Sequence, residues 1–286
     1  MYRFYAWKID VSGLFLTKNT ISSERVGPKT MKITVIHGSM RKGNTYGVTQ
    51  MVLEHLRLYK DIEITAINIA DLNLPFCHSC HVCFAKGEAF CPHSKTVNMV
   101  AKAIENCDGL IISGVCYAMH VNAAMKNLID HFAYFFHRPR LFDKVGMVVT
   151  TTAGAGENIV AKYLRQTLGH WGMGKALLLP VKIQTEKFSL TDKQKKQVRT
   201  AAGKFYNAIS QDKLSPPSLV SVIVHSSFRA HASISPPLSE CDTAYWRDSG
   251  FADKVYPRKI SMAKSLVGKL IYPIMRNIFK KIKTEQ

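Results

Sequence analysis

Residues 31–45 read MKITVIHGSMRKGNT, a short β-rich run that ends in a loop of small and polar residues. Four more β-rich runs follow at intervals, and longer segments of helical pattern separate them. This alternation is typical of a parallel sheet wrapped by helices. The predicted strands cover residues 32–37, 62–69, 109–115, 145–151 and 176–183.

The predicted helices cover residues 45–58, 96–106, 122–136, 157–169 and 192–209. The last begins after Thr191, and Gln194 stands three residues further on, which is a capping-box spacing. Most strand candidates are runs of continuous apolar residues, such as LIIS and VGMVVT, and such runs fit a sheet covered on both faces. The sequence therefore predicts a doubly wound α/β fold.

Three segments of different character divide the chain. Residues 1–30 show no steady period and precede the first strand, so we expect a poorly ordered leader there. Residues 31–211 carry the α/β pattern. Residues 212–286 form an extension, predicted to be a proline-containing linker followed by a basic amphipathic helix.

The charge is strongly basic. The 286 residues include 39 Lys and Arg against 20 Asp and Glu, a net charge of +19, and 47% are hydrophobic. That apolar fraction excludes intrinsic disorder and a disulfide mini-protein. Residues 254–286 hold nine of the basic residues and a single acidic one, so much of the excess lies at the C-terminal end. Such a balance favours anionic partners, namely nucleic acid, a phospholipid surface or phosphorylated small molecules.

The sequence predicts a cytoplasmic protein. Lys269 and Arg276 interrupt the best candidate for a membrane span, and the first 20 residues lack the apolar core of a signal peptide.

Three loops are candidates for a ligand site, because ligands of doubly wound sheets bind at the carboxyl ends of the strands. The first, at residues 37–45, ends at a helix N-terminus, where backbone N–H groups and the helix dipole favour a phosphate. It matches neither the dinucleotide fingerprint nor the P-loop, and an ordinary capping turn would explain it equally well. The other two loops, at residues 114–130 and 150–156, would also serve as plain connections.

Together, the three loops resemble the NADPH-dependent FMN reductase branch of the flavodoxin-like superfamily. The first loop meets the family pattern from Gly38 to Thr45, except that Met40 replaces a proline. The second meets it at Tyr117, Lys126 and Asp130, with Val115 in place of a proline, and the third meets it loosely at residues 151–156.

The resemblance implies a flavodoxin-like five-stranded parallel sheet of order 2-1-3-4-5 with the extension added at its C-terminus. It implies that Ser39, Arg41, Asn44 and Thr45 bind the phosphate of FMN. The flavin ring would lie against residues of the second and third loops: Val115, Cys116, Tyr117, Ala118, Met119, Thr152, Ala153, Gly154 and Gly156.

The implied activity is that of an FMN-dependent NAD(P)H oxidoreductase, which passes hydride from a nicotinamide to FMN and electrons on to a small-molecule or protein acceptor. A homo-oligomer is expected, and no residue is assigned as a catalytic acid or base. The alternative is a flavodoxin-like electron carrier without NAD(P)H turnover of its own. Nucleic acid is not an expected partner, because no nucleic-acid motif accompanies the basic tail.

Four cysteines form a cluster, Cys77, Cys80, Cys83 and Cys91. Their spacing is close to that of ferredoxins, in which thiolates hold a 4Fe-4S cluster, and it resembles the compact motif of iron–sulfur flavoproteins. Three interpretations stay open: an iron–sulfur cluster, a zinc site that includes neighbouring histidines, and free thiols like those of related flavin reductases.

The C-terminal segment 258–283 is amphipathic when residues are placed 100° apart, with Pro273 near its middle. A basic amphipathic helix can lie on an anionic membrane, and peripheral membrane contact is therefore one prediction. The other is that the apolar arc packs on the chain's own domain or on a second copy.

Overall fold

A computed structural model describes residues 30–185, 187–235 and 239–284. The predicted leader, residues 1–30, lies outside the described residues except for Thr30.

The core of the fold is a parallel sheet. Its strands are β1 (Met31–His37), β2 (Ile62–Asn68), β3 (Gly109–Tyr117), β5 (Val145–Thr152) and β6 (Leu177–Lys182), in the order β2-β1-β3-β5-β6. A two-residue strand, β4 (His120–Val121), pairs antiparallel with the end of β3. Without β4 the order is 2-1-3-4-5, so the predicted doubly wound fold is confirmed.

Alternation along the strands explains the two layers of helices. Ile33 and Val35 of β1 face one core, with α1 (Asn44–Leu56) and α7 (Asp192–Ser210). Ile36 faces the other core, with α3 (Ser94–Glu105), α4 (Ala123–His131) and α6 (Glu157–His170). Successive side chains of a strand point to opposite faces, so a strand buried on both sides reads as one apolar run.

The predicted helix over 122–136 is wrong in its extent. The chain forms α4 and then a separate short helix, α5 (Tyr134–His137). At the break, the N–H of Phe132 donates to both Leu128 and Ile129, so the turn tightens. The tighter turn allows Phe132 and Phe135 to pack against Trp171, with ring centroids 5.5 and 5.4 Å away.

The extension forms three further helices, α8 (Leu219–Ala232), α9 (Glu240–Asp248) and α10 (Met262–Thr284). Ser218 and Ser239 cap α8 and α9. A small apolar cluster of Phe142, Val222 and Tyr256 joins the extension to the α/β core. The short helix α2 (Val82–Ala85) lies in the cysteine segment and contacts α9.

The last helix, α10, packs along α8 and contains Pro273. Gly268 of α10 is buried, and a Cβ there would lie only 2.6 Å from Val255 and 3.0 Å from Ser226 Oγ. The helix α10 also carries a row of exposed apolar residues spaced four apart: Met262, Leu266, Leu270, Ile274, Ile278 and Ile282. None of the described helices is long and apolar enough to cross a bilayer.

Candidate functional site

The first loop follows β1 and leaves the N-terminus of α1 open. The N-cap residue, Gly43, has no side chain, and the first turn of α1 contains no acidic residue. Ser39 Oγ donates to the carbonyl of Arg41 at 2.7 Å and thereby closes the loop on itself. The N–H groups of the first helical turn have no helical acceptors, and together with the dipole they suit an anion.

The start of this loop depends on close backbone packing. The N–H of Gly38 donates to the carbonyl of Ser113 on β3 at 2.8 Å. A Cβ at Gly38 would come within 2.4 Å of that carbonyl oxygen, and therefore only glycine fits.

His37, the last residue of β1, lies beneath the loop. It is 2% exposed, and its ring packs against Tyr46 of α1, with ring centroids 4.8 Å apart and the planes tilted by 40°. Neither ring nitrogen has a hydrogen-bond partner among the described residues, and burial lowers the pKa of His37, which keeps the ring neutral. A buried polar group without a partner is uncommon and can mark a place where a bound ligand completes the hydrogen bonding.

The second loop is a tight hairpin. Ala118 and Met119 both have positive φ, as a two-residue turn of this kind requires, and they join β3 to β4. The turn leaves Tyr117 and Met119 exposed, at 73% and 51%. Met40 of the first loop is also exposed, so apolar surface is available at this edge for a flat ring.

The third loop contacts the second. Cys116 Sγ lies 3.2 Å from the carbonyl oxygen of Ala155, and Thr152 Oγ1 donates to the same oxygen at 3.0 Å. Gly156 has φ of +98°, and a Cβ there would lie 2.6 Å from Cys116 Sγ. A Cβ at Gly154, in contrast, would meet no atom within 4 Å, so open space lies beside it.

Two further hydrogen bonds hold the three loops together. Asn122 Nδ2 donates to the carbonyl of Gly38 at 2.8 Å, and its Oδ1 caps α4 by accepting from Met125. The hydroxyls of Thr45 and Thr151 lie 2.6 Å apart in a buried position. The carboxyl ends of β1, β3 and β5 therefore form one connected surface.

The four clustered cysteines line a single cavity of about 350 Å³ next to α4. Cys77, Cys83 and Cys91 are partly buried and Cys80 is exposed. His78, His81 and His93 line the same cavity. Ser79 and His81 have positive φ, which is strained for residues with side chains and is a feature that recurs at ligand sites.

The wall of the cavity is held by α4. Asn127 Oδ1 accepts from the N–H of Cys77 at 2.9 Å, and its Nδ2 donates to the carbonyls of Leu74 and Pro75. A nitrogen of His131 lies 2.9 Å from the carbonyl of Pro75. Asn122 bonds to the first loop, and Asn127 bonds to the cysteine loop. Five residues of an α-helix span about 8 Å, so these two anchoring residues lie about 8 Å apart along the helix axis.

Arg138 supports the cysteine loop from behind. It is 2% exposed and donates to the carbonyl of Cys83 at 2.7 Å and to Glu88 at 3.2 Å. Its Nη1 donates to a carboxylate oxygen of Asp242 in α9 at 3.0 Å, and Asp242 is itself 1% exposed. Ser239 adds a hydrogen bond to the carbonyl of Phe84. The extension is thus part of the wall behind the cysteines.

The thiols differ in their surroundings. Burial raises the pKa of Cys83 to about 11, Arg138 opposes this effect, and the other three cysteines add to it. A bound metal would take the place of the thiol proton, because thiolates are the ligands.

No three potential ligands of the cysteine cavity lie within 4.8 Å of one another among the described residues. Among the described residues, the group of three potential ligands within 4.8 Å of one another is His137, His231 and Asp242, and it contains no cysteine. A single zinc ion needs closely spaced ligands, whereas the thiolates around an iron–sulfur cluster stand further apart. In the cysteine cavity, the described side chains therefore form no ready-made site for a single ion.

The sequence profile of a known family, NADPH-dependent FMN reductase, matches residues 31–178. The chain belongs to this family.

Curated relatives carry a second name. An iron-sulfur flavoprotein of Archaeoglobus fulgidus is 32% identical over 145 residues, which are 50% of this chain and 64% of that protein. One from Clostridioides difficile is 27% identical over 194 residues, 66% of this chain and 84% of that protein. The chain thus spans less than two thirds of the first relative's length.

Solved structures support the fold. A flavone reductase superimposes with a TM-score of 0.50 at 15% identity, covering 66% of each chain. The resemblance seen in the three loops is therefore confirmed at the level of family and fold.

The structure brings together the residues that the sequence predicted for the two sites of this chain. All three loops lie at one edge of the sheet, and the four cysteines line one cavity. Thr45 is buried and its hydroxyl pairs with Thr151, so its backbone N–H is the group that faces the open helix end.

Sequence reasoning did not single out several supporting residues: His37, Asn122, Asn127, His131, Arg138 and Asp242. A signal existed for Asn122, which occupies an N-cap position before a helical run. Arg138 and Asp242 lie 104 residues apart, and no local pattern relates them.

Gly156 and Gly154 form a matched pair for testing the third loop. We expect Gly156→Ala to lower the free energy of unfolding of the FMN-free protein by about 1–3 kcal/mol, because of the positive φ and the contact with Cys116. Gly154→Ala should leave it unchanged or raise it by up to about 1 kcal/mol. Urea unfolding measures both, and equal losses in the two variants would contradict this account of the loop.

Proposed function

We propose that the chain is an FMN-dependent NAD(P)H oxidoreductase that binds FMN at the carboxyl edge of the sheet. The observation that carries the proposal is the convergence of three hydrogen-bonded loops on an open helix N-terminus, within a chain of the FMN reductase family.

The first loop would hold the phosphate of FMN. The open N–H groups at Asn44 and Thr45 supply hydrogen bonds, and Arg41 adds positive charge. The Ser39 hydroxyl would add another hydrogen bond by turning from the carbonyl of Arg41 to the phosphate. The exposed turn at Tyr117–Met119 and the open space beside Gly154 would receive the ring, together with the other predicted residues Val115, Cys116, Thr152, Ala153 and Gly156.

FMN, when bound, supplies the redox chemistry: it accepts hydride from a reduced nicotinamide and passes electrons to an acceptor. The protein's own residues bind and orient it. The neutral ring of His37, buried beneath the first loop, offers a hydrogen bond without adding charge.

The phosphate assignment predicts a difference between FMN and riboflavin. Ser39→Ala and Arg41→Ala should each weaken FMN binding roughly tenfold, since hydrogen bonds to a charged group are lost. Binding of riboflavin, which has no phosphate, should not change. Fluorescence titration measures both ligands, and Lys60→Ala, which removes an exposed cation beyond α1, is the matched control.

Turnover separates the enzyme from the alternative, an electron carrier. The FMN-loaded protein should oxidise NADPH or NADH in the presence of ferricyanide or a quinone at steady state. An FMN-loaded protein without such turnover would exclude the oxidoreductase and favour the carrier.

We further propose that Cys77, Cys80, Cys83 and Cys91 hold a 4Fe-4S cluster. The shared cavity and the likeness to proteins named iron-sulfur flavoproteins support this. When bound, the cluster supplies one-electron transfer, and α4 would hold it near the flavin edge.

Iron and acid-labile sulfide, assayed after anaerobic purification, test the cluster. We expect both in the wild-type protein and a loss of most of each in Cys80→Ser, because one of four thiolate ligands is removed. Cys241→Ser, which alters a cysteine outside the cavity lining, should retain both. Stoichiometric zinc without sulfide, or metal-free thiols with full FMN content, would exclude the cluster.

The proposed partners are a small-molecule or protein electron acceptor, a second copy of the chain, and the surface of an anionic membrane. The exposed row on α10 supports membrane contact, since Leu266, Leu270 and Ile274 are each more than half exposed. The described chain from residue 254 to residue 284 contains no acidic residue. Apolar side chains beside cations suit an anionic interface, whereas a second copy of α10 would bring like charges together.

Vesicle binding tests this contact. Leu270→Asn combined with Ile274→Asn should weaken co-sedimentation with phosphatidylserine-containing vesicles at least tenfold, because apolar area is no longer buried in the interface. Leu58→Asn, at a residue that is 78% exposed after α1, is the control. Equal binding by the double variant and the wild type would contradict membrane docking through α10.

A further inference from the structure

A cavity lies away from the carboxyl edge of the sheet, where FMN is proposed to bind. It has a volume of about 580 Å³ and is lined by residues of α6 from Lys162 onward, by residues 173–175, by residues 216–221 at the start of α8, and by Lys264 of α10. Nothing in the proposed oxidoreductase uses it.

The lining of this cavity carries four cations and no carboxylate. Lys162 and Arg165 belong to α6, Lys175 follows α6, and Lys264 belongs to α10. None of the four forms a salt bridge with a described residue. Lys264 Nζ donates to the carbonyl of Pro217 at 2.6 Å, which places its charge at the rim.

Cations near the end of a helix can simply complement its dipole, and this accounts for part of the set on α6. It does not account for Lys175 and Lys264, which come from other elements and converge on the same space. Four like charges around one cavity repel one another, and a bound anion would relieve that repulsion.

Hydrogen-bond donors accompany the charges. Ser218 and Ser221 line the cavity at the N-terminus of α8, where the dipole also favours an anion. His170 lines it from α6, and its Nδ1 is buried without a hydrogen-bond partner among the described residues.

Two glycines bring the walls together. A Cβ at Gly169 would lie 3.0 Å from Ser221 Oγ, and a Cβ at Gly174 would lie 2.0 Å from the carbonyl oxygen of Ser215. The first turn of α8 can lie this close to α6, and the segment before α8 this close to the loop after α6, because both positions lack side chains. The cavity is therefore built by specific packing of three elements.

We propose that this cavity binds a dianionic phosphate group, presented either by a soluble phosphorylated compound or by a lipid headgroup. Its volume admits more than a single phosphate, and Arg165 offers the planar fork that pairs with phosphate oxygens. The site is separate from the first loop, at the other end of α6 from Gly156.

Calorimetry with inorganic pyrophosphate, on protein saturated with FMN, tests the proposal. Saturable binding is expected in the wild type, and Arg165→Gln combined with Lys175→Gln should weaken it at least tenfold. The control is Lys196→Gln combined with Lys204→Gln, which removes the same charge from α7 and should change affinity less than twofold. Thermal unfolding of each double variant verifies that it is folded.

Three results would overturn the proposal: no saturable binding by the wild type, equal losses in the two double variants, or loss of binding in Arg41→Gln instead. The last result would assign pyrophosphate binding to the first loop. Because FMN fills that loop in the wild-type experiment, binding at the first loop can be told apart from binding at the cavity.

Vesicles of phosphatidylcholine with and without phosphatidic acid distinguish the two sources. Weaker binding of the cavity variant to phosphatidic acid vesicles, with competition by pyrophosphate, would identify a headgroup. Unchanged vesicle binding with lost pyrophosphate binding would identify a soluble phosphorylated ligand.

Discussion

A single buried guanidinium couples the parts of this protein. Arg138 is almost fully enclosed and must be paired, because an isolated charge in the interior is very costly. Its partners come from the cysteine loop, through Cys83 and Glu88, and from the extension, through Asp242. Removal of one partner of such a buried pair typically costs 3–5 kcal/mol. Separation of the extension from the α/β core would therefore leave Arg138 without Asp242 and expose the wall behind the cysteines. The extension is thus part of the structure that supports the cysteine cavity.

The edge of the sheet imposes a second constraint. Helices cover both faces of the parallel strands, so a ligand can reach the sheet only where the strands end. At that edge the loops after β1, β3 and β5 are tied to one another before any ligand binds, through Asn122, Cys116 and the Thr45–Thr151 pair. A cradle organised in advance loses less conformational entropy on binding. The β3–β4 hairpin holds Ala118 and Met119 at positive φ before any ligand is present.

The sequence predicted what local patterns encode. Five apolar runs marked the parallel strands, and the residues at Gly38–Thr45 and in the following loops indicated the family and the edge at which the proposed site lies. It missed features that depend on distant contacts. The break after His131 accompanies the packing of Phe132 and Phe135 on Trp171, and the pairing of Arg138 with Asp242 spans 104 residues. β4 contains only two residues, which are too few to show the alternating pattern of a strand.

The C-terminal helix shows why one helical spacing of apolar residues can be interpreted in two ways. Apolar residues of 258–283 occupy a broad arc, which predicts either packing or membrane contact. In the structure, α10 lies along α8 with Gly268 buried between them, and Leu266 and Leu270 point away from that contact. Residues two apart on a helix differ by about 200°, so one helix can pack against its own chain and still present an apolar row outward. The two interpretations are therefore compatible. The apolar arc is broad because it includes both the residues that pack on α8 and the residues that face outward.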